Sequence, residues 1–224
     1  MATIEDNRKL LRHAVQLPLV YRAPRGRAHR SEAGWTRDLS EGGLGLELPE
    51  RLRQNTRLAL RLGTALGVVW AEGQVMWVGL PTTPTGGTPH GISLAEIHPT
   101  QQEKLQELLH ALARAPHAAS RLPLDLAVIC EPLQPGGPSL PGRTINVGRG
   151  GLGLQLPAML VPGTAVQLTL RPARRPLRVE GVIAWVEPEN RHLPQESLIT
   201  HGLQFTGLDW ALARTLGALL MEIG

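Results

Sequence analysis

DLSEGGLGLELP (38–49) and NVGRGGLGLQLP (146–157) are one stretch written twice, with seven of twelve columns identical. The same offset persists through Thr56 and Thr164, and through GQVMWV (73–78) against GVIAWV (181–186). It then drifts by three, so that HGISL (90–94) pairs with HGLQF (201–205). Solenoid repeats run to about 20–50 residues, so a period this long in 224 residues means two copies of one domain. The boundary falls near Ala115-Pro116-His117, giving domains 1–115 and 116–224.

Each copy reads as mainly β. In the first, LPLVYR (17–22), WTRDL (35–39), LGLEL (44–48), RLALRL (57–62), VVWAEGQVMWV (68–78) and HGISLAEI (90–97) are short strand-like runs. Gly, Pro, Asn and Ser break them apart. Within 57–62, Leu58, Leu60 and Leu62 alternate with Arg57 and Arg61, the period of a strand with one buried face. The copy closes on QQEKLQELLHALAR (101–114), where Leu105, Leu108, Leu109 and Leu112 form a helical stripe. Thr100 with Glu103 three residues on predicts a capping box. The second copy ends in the same way, in DWALARTLGALLMEI (209–223). Six short antiparallel strands and one helix in about 100 residues predict two six-stranded antiparallel β-barrels, each with a C-terminal α-helix.

Composition narrows the function. Apolar residues are 42% and charged residues 19%, which fits neither a disordered chain nor a membrane chain. No run approaches the ~20 apolar residues that a spanning helix needs. The first nine residues hold two acids where a secretory leader wants a basic start and an apolar run, so a cytoplasmic protein is expected. The single cysteine, Cys130, forms no intrachain disulfide and reads as a small core residue. The net charge is +4, with 21 of the 23 basic residues arginine. Residues 1–37 carry eight basic side chains against three acidic ones, and the rest of the chain nets −1. A local arginine cluster suits phosphates and guanine edges, because guanidinium is a flat fork of donors. A protein that coats nucleic acid would be basic throughout.

Catalytic signatures are missing. GRGGLG (148–153) matches GxGxxG, but it runs into strand-like LQLP instead of opening a helix, so it reads as a turn. The eight histidines form no HExxH, and no GxSxG elbow or Walker loop occurs. No catalytic residue, metal ligand or cofactor is assigned, and the protein is expected not to be an enzyme.

Two segments remain. Arg8 and Arg12 stand four apart, a spacing that points both side chains the same way. Asp38, Ser40 and Gly43 lie in a turn, supplying a carboxylate, a hydroxyl and a close backbone approach. A matching ligand carries phosphate and a guanine-like edge: Arg forks to O6/N7 or to phosphate, and Asp accepts from N–H. The RxxxR segment, the DxSxxG turn, the GLGLELP strand, the G-x-V-x-W-V strand, HGI and the closing helix together resemble the PilZ domain over residues 4–114. That resemblance implies a bacterial receptor for the second messenger cyclic di-GMP, with the arginine segment wrapped over the ligand against the barrel. Arg8 and Arg12 would grip guanine edges and phosphates, Asp38 and Ser40 would bond a guanine, and Gly43 would shape the turn. Lys9 and Trp77 stand as secondary candidates. Trp77 has a counterpart, Trp185, in a copy without the full motif, which favours a role on the barrel face.

The second copy departs from the motif. His117 and Arg121 replace Arg8 and Arg12, Asn146 replaces Asp38, and Gly148 replaces Ser40; Gly151 repeats Gly43. Three of five expected contacts are lost, which weakens binding by several orders of magnitude at ~1–3 kcal/mol each. The reading is therefore one receptor domain and one degenerate domain, with ligand-driven reorientation signalling to a protein partner. Two alternatives are an interaction scaffold that binds no nucleotide and a nucleic-acid-binding barrel. Scarce lysine and a single Tyr and Phe for stacking speak against the latter.

Overall fold

Leu58, Leu60 and Leu62 are buried as the alternation requires, Arg57 is exposed and Arg61 half-buried. They belong to a computed structural model that describes residues 11–23, 31–94, 97–116, 120–134, 136–171, 175–187 and 198–223. The first copy runs β1 (His13–Ala14), β2 (Pro18–Arg22), β3 (Ser31–Ser40), β4 (Gly43–Leu48), β5 (Arg57–Thr64), β6 (Gly67–Val78), β7 (Thr88–Leu94) and α1 (Pro99–Arg114). The second runs β8 (Leu122–Pro123), β9 (Ala127–Pro132), β10 (Leu140–Gly148), β11 (Gly151–Leu156), β12 (Ala165–Leu170), β13 (Leu177–Val186), β14 (Ile199–Thr206) and α2 (Trp210–Ile223).

Among the described residues every pairing is antiparallel, and both sheets close. In the first, the order β3-β2-β5-β6-β7-β4 returns to β3, and β1 adds a short margin to β3. In the second, β10-β9-β12-β13-β14-β11 returns to β10, with β8 on β10. The predicted pair of six-stranded barrels is the fold. The chain divides into two compact units, Met1–Ser120 with Gly217–Gly224, and Arg121–Leu216.

The first core is filled mainly by Leu, with Tyr21 the one large ring in the cluster. Leu105, Leu108, Leu109 and Leu112 of α1 join that core, so the helix plugs the barrel as its stripe requires. The second barrel buries Val128, Cys130, Leu152, Leu154, Leu168 and Ile183. Burial pushes the Cys130 thiol up to about 11, so it stays protonated and behaves as a small core group.

The capping box is not formed. Helix α1 begins two residues earlier than the box requires, with Pro99 at its first turn and His98 at the cap, and among the described residues no side chain caps it. Proline's fixed φ starts the helix, which draws Thr100 into the first turn, where its hydroxyl lies 2.9 Å from His98 Nδ1.

Candidate functional site

A bulge between Thr36 and Asp38 interrupts the register of strand β3 with β4. Thr36 is buried, Arg37 and Asp38 both face outward, and Leu39 returns to the core. An extra residue in one strand re-aims its neighbours in this way. The bulge thereby turns the Asp38 carboxylate onto the outer wall.

From Asp38 the register crosses four strands. Asp38 pairs with Gly45 of β4, Gly45 with Gly91 of β7, and Gly91 with Trp77 of β6. A second bulge, between Val75 and Trp77, aims the indole outward. A Cβ on Gly45 would lie 2.4 Å from Asp38 Oδ2, and one on Gly91 would lie 1.8 Å from Trp77 Nε1. Only glycine permits these approaches. The carboxylate and the indole therefore lie flat over neighbouring glycines, and the ring remains 52% exposed. Sequence reasoning named Asp38 and Trp77 but not Gly45 and Gly91, whose meaning lies in the pairing of separate segments.

Arg12 completes the group. Its Nη1 donates to Asp38 Oδ1 at 2.5 Å, and the same oxygen accepts from Gly45 N at 3.1 Å. Its other terminal nitrogen is 3.5 Å from where a Gly43 Cβ would stand. Thr36 sets this approach: its hydroxyl donates to Val15 O at 2.5 Å and accepts from Leu17 N at 2.8 Å. That staple holds the chain just after Arg12 along β3, where Ala14 pairs with Asp38. The repeat carried the signal, since Thr144 stands at the matching place in the second copy and bonds Leu124 O and Leu126 N in the same way.

Ser40 and Gly43 shape the turn. The Ser40 side chain is buried and its hydroxyl donates to Gly43 O at 3.1 Å, across the two-residue connection Glu41-Gly42. A Gly43 Cβ would lie 2.6 Å from Ile92 O, so the position requires glycine. Arg12, Asp38 and Gly43 are thus together, Ser40 is directed into the turn, and Trp77 borders the group through Gly91. Arg8 and Lys9 lie outside the described residues.

The second barrel repeats the scaffold without the carboxylate. Leu122 pairs with Val147 as His13 pairs with Leu39, which puts Arg121 in the place of Arg12. Asn146 Oδ1 accepts from Gly153 N at 3.2 Å, reproducing the Asp38–Gly45 bond with a neutral side chain. The row continues through Gly202 to Trp185, with the same two bulges. Among the described residues, no hydrogen bond joins Arg121 to Asn146. Gly148 and Gly151 end β10 and begin β11, so the formal GxGxxG lies in a hairpin with no helix. His117 lies outside the described residues.

One further pair recurs. His90 is buried; its Nε2 accepts from Leu52 N at 3.1 Å and its Nδ1 faces Thr88 O at 2.8 Å. His201 does the same between Leu160 N and Ile199 O. That pattern requires the neutral ring with the proton on Nδ1. Burial lowers both pKa values below 6.5, against the smaller opposing pull of the backbone carbonyls. These histidines hold loops in place. Among the described residues, no cluster of His, Cys, Asp or Glu suits a metal ion, and no helix is long and apolar enough to cross a membrane.

Comparison with family models agrees with the duplication. The family model described as PilZ domain matches residues 6–111 and again 118–222. No curated protein matches the chain. Among solved structures, the chain is similar to the PilZ domain with c-di-GMP of YcgR from Escherichia coli, at 17% identity, TM-score 0.41, and 50% of this chain against 95% of that one. It is also similar to the PlzA protein of Borreliella burgdorferi in complex with c-di-GMP, at 10% identity, TM-score 0.37, and 94% of this chain against 88% of that one. A third likeness is the Bacillus subtilis inhibitor of motility MotI/DgrA, at 11% identity, TM-score 0.37, and 94% of this chain against 96% of that one. At these identities and scores no residue role transfers from them.

Proposed function

The chain belongs to the PilZ domain family, which its two copies match nearly end to end, and from that premise we propose that its first copy is a receptor for cyclic di-GMP. The observation that carries this reading is the outward row Asp38–Gly45–Gly91–Trp77 with the Arg12 guanidinium at its end. A guanine presents two N–H donors on one edge and two acceptors on another. Asp38 is an acceptor-only group suited to the first edge, and Arg12 is a donor-only fork suited to O6/N7 or to a phosphate oxygen. The exposed Trp77 face offers a planar base an apolar border. The glycines leave backbone without side chains between them.

Residues 1–115 are the receptor domain in this reading, and Ser40 and Gly43 hold the turn against which the ligand lies. Arg8 and Lys9 add cations from the preceding segment. Residues 116–224 form a degenerate copy in which Asn146 keeps the scaffold bond and loses the charge. The protein acts as a binding module and not as an enzyme, and passes its signal to a protein partner. Ligand binding reorients the two domains only to the extent that the two arrangements bind it unequally.

Calorimetry on the full chain with cyclic di-GMP, and in parallel with a single-stranded oligonucleotide, tests the proposal. The expected dissociation constant is mid-nanomolar to low-micromolar, about −8 to −10 kcal/mol, with no specific heat from the oligonucleotide. No binding of cyclic di-GMP at several hundred micromolar would refute the receptor reading. A response to the oligonucleotide alone would favour a nucleic-acid-binding barrel.

A further inference from the structure

Arg12 is already engaged with Asp38, so the pair at the end of the row is neutral as a unit. A cyclic dinucleotide brings two phosphate charges. Arg37 is the residue that the β3 bulge inserts between Thr36 and Asp38, and like Asp38 it faces outward instead of alternating. Neighbouring Cα atoms are ~3.8 Å apart, and an arginine side chain is long enough to reach across the adjoining carboxylate. Among the described residues, nothing pairs with its guanidinium, and the residue is exposed. The second barrel has the same bulge between Thr144 and Asn146, but Ile145 occupies the position and is 38% exposed. The bulge is therefore part of the scaffold, whereas the cation is particular to the copy that keeps the carboxylate.

We propose that Arg37 is a further ligand-binding residue, placed by the bulge beside Asp38 to donate a forked, charge-assisted contact to a phosphodiester group. It lies outside the RxxxR and DxSxxG patterns, and the inference rests on the receptor reading above. Its role differs from that of Arg12. Arg12 must exchange its bond to Asp38 for one to the ligand, whereas Arg37 meets the phosphate with no bond to another described residue to break. A guanidinium on the barrel surface contributes both to affinity and to its dependence on ionic strength.

The test is calorimetry with cyclic di-GMP on the full chain, comparing wild type, Arg37→Ala, Arg37→Gln and Arg37→Lys at about 50 and 300 mM salt. Arg37→Ala and Arg37→Gln should each weaken binding about ten- to thirtyfold at low salt, and the loss should shrink at high salt as the phosphate is screened. Arg37→Lys should recover part of the affinity, since charge returns without the fork. Thermal midpoints should be unchanged, because the side chain is exposed. Affinities of Arg37→Ala and Arg37→Gln within twofold of wild type would overturn the inference and leave the receptor reading standing. A wild-type chain that binds no cyclic di-GMP would overturn both.

Discussion

Changing Asp38 to Asn separates two jobs that one side chain performs. Its Oδ1 accepts from Gly45 N at 3.1 Å, and in the second barrel an asparagine makes the equivalent bond at 3.2 Å. Asp38→Asn therefore keeps the hydrogen bond that settles the bulge. It loses the ion pair with Arg12, but those side chains are 34% and 48% exposed, and pairs so open to water contribute about 0–1 kcal/mol. The expected loss of stability is at most about 1 kcal/mol. Asp38→Ala also removes the partner of Gly45 N–H, adding about 0.5–1.5 kcal/mol. Ligand binding should order the variants differently. An amide offers one acceptor where the carboxylate offered two, and its NH₂ opposes the guanine donors, so Asp38→Asn forfeits about 1.5–3 kcal/mol, or roughly ten- to a hundredfold in affinity. Urea denaturation of both variants alongside calorimetry gives the two quantities independently. Asp38→Asn binding within threefold of wild type would refute Asp38 as the guanine-reading group. Equal destabilisation by Asn and Ala would refute the equivalence drawn with Asn146.

Arg12→Ala should cost about ten- to a hundredfold in cyclic di-GMP affinity, whereas Arg121→Ala should change it less than about threefold; calorimetry on both decides, and equal losses would mean that both copies read the ligand. Acid should destabilise the fold through His90 and His201. Their folded pKa values lie below 6.5, so the unfolded chain takes up protons first, and stability is full above pH 6.5 and falls as pH drops, at up to about 1.4 kcal/mol per unit for each histidine until its folded pKa is reached. Urea midpoints between pH 8 and 5 should show this fall, reduced in His90→Gln. Gly91→Ala should destabilise by about 1–3 kcal/mol, because the new methyl meets the Trp77 indole, and most of that cost should vanish in a Trp77→Ala background. Leu108→Ala, which empties a fully buried position where α1 meets the barrel, should cost about 2–5 kcal/mol in the same assay.

Elements whose identity depends on local period were legible in the sequence. Leu58, Leu60 and Leu62 declared a strand, and Leu105 to Leu112 declared a helix, because burial follows one repeat within one segment. Where two local signals competed, the stronger took the boundary: Pro99 started α1 and Thr100 lost its capping role. The two-residue strands β1 and β8 had no period to show. The site was legible only in part, for the same reason. Arg12, Asp38 and Gly43 belong to motifs along the chain, but the row through Gly45 and Gly91 exists only once β4 and β7 pair in one register. Bulges decide which side chains turn outward, and a one-residue shift in pairing leaves no mark in composition. The recurrence of Thr36 as Thr144, and of His90 as His201, was visible as identity, but its meaning required the backbone groups those side chains hold.

Closure of the two sheets has a consequence for how the chain reaches them. Strands β4 and β11 differ by one residue, Glu47 against Gln155, so side-chain chemistry scarcely tells β3 which of the two to accept. What distinguishes them is distance along the chain. The proper partner follows a two-residue turn, whereas the wrong one starts only at Gly151, a full repeat further on. Loop-closure entropy favours the near partner by roughly 3–4 kcal/mol, a margin that acts while the hairpin is forming. Once the near hairpin is enclosed in its own ring, no ladder edge is left for the distant copy to join. Correct sorting of two nearly interchangeable strands is therefore a matter of order of assembly: the turn Glu41-Gly42 works as a timing device, letting each copy finish before the other can interfere.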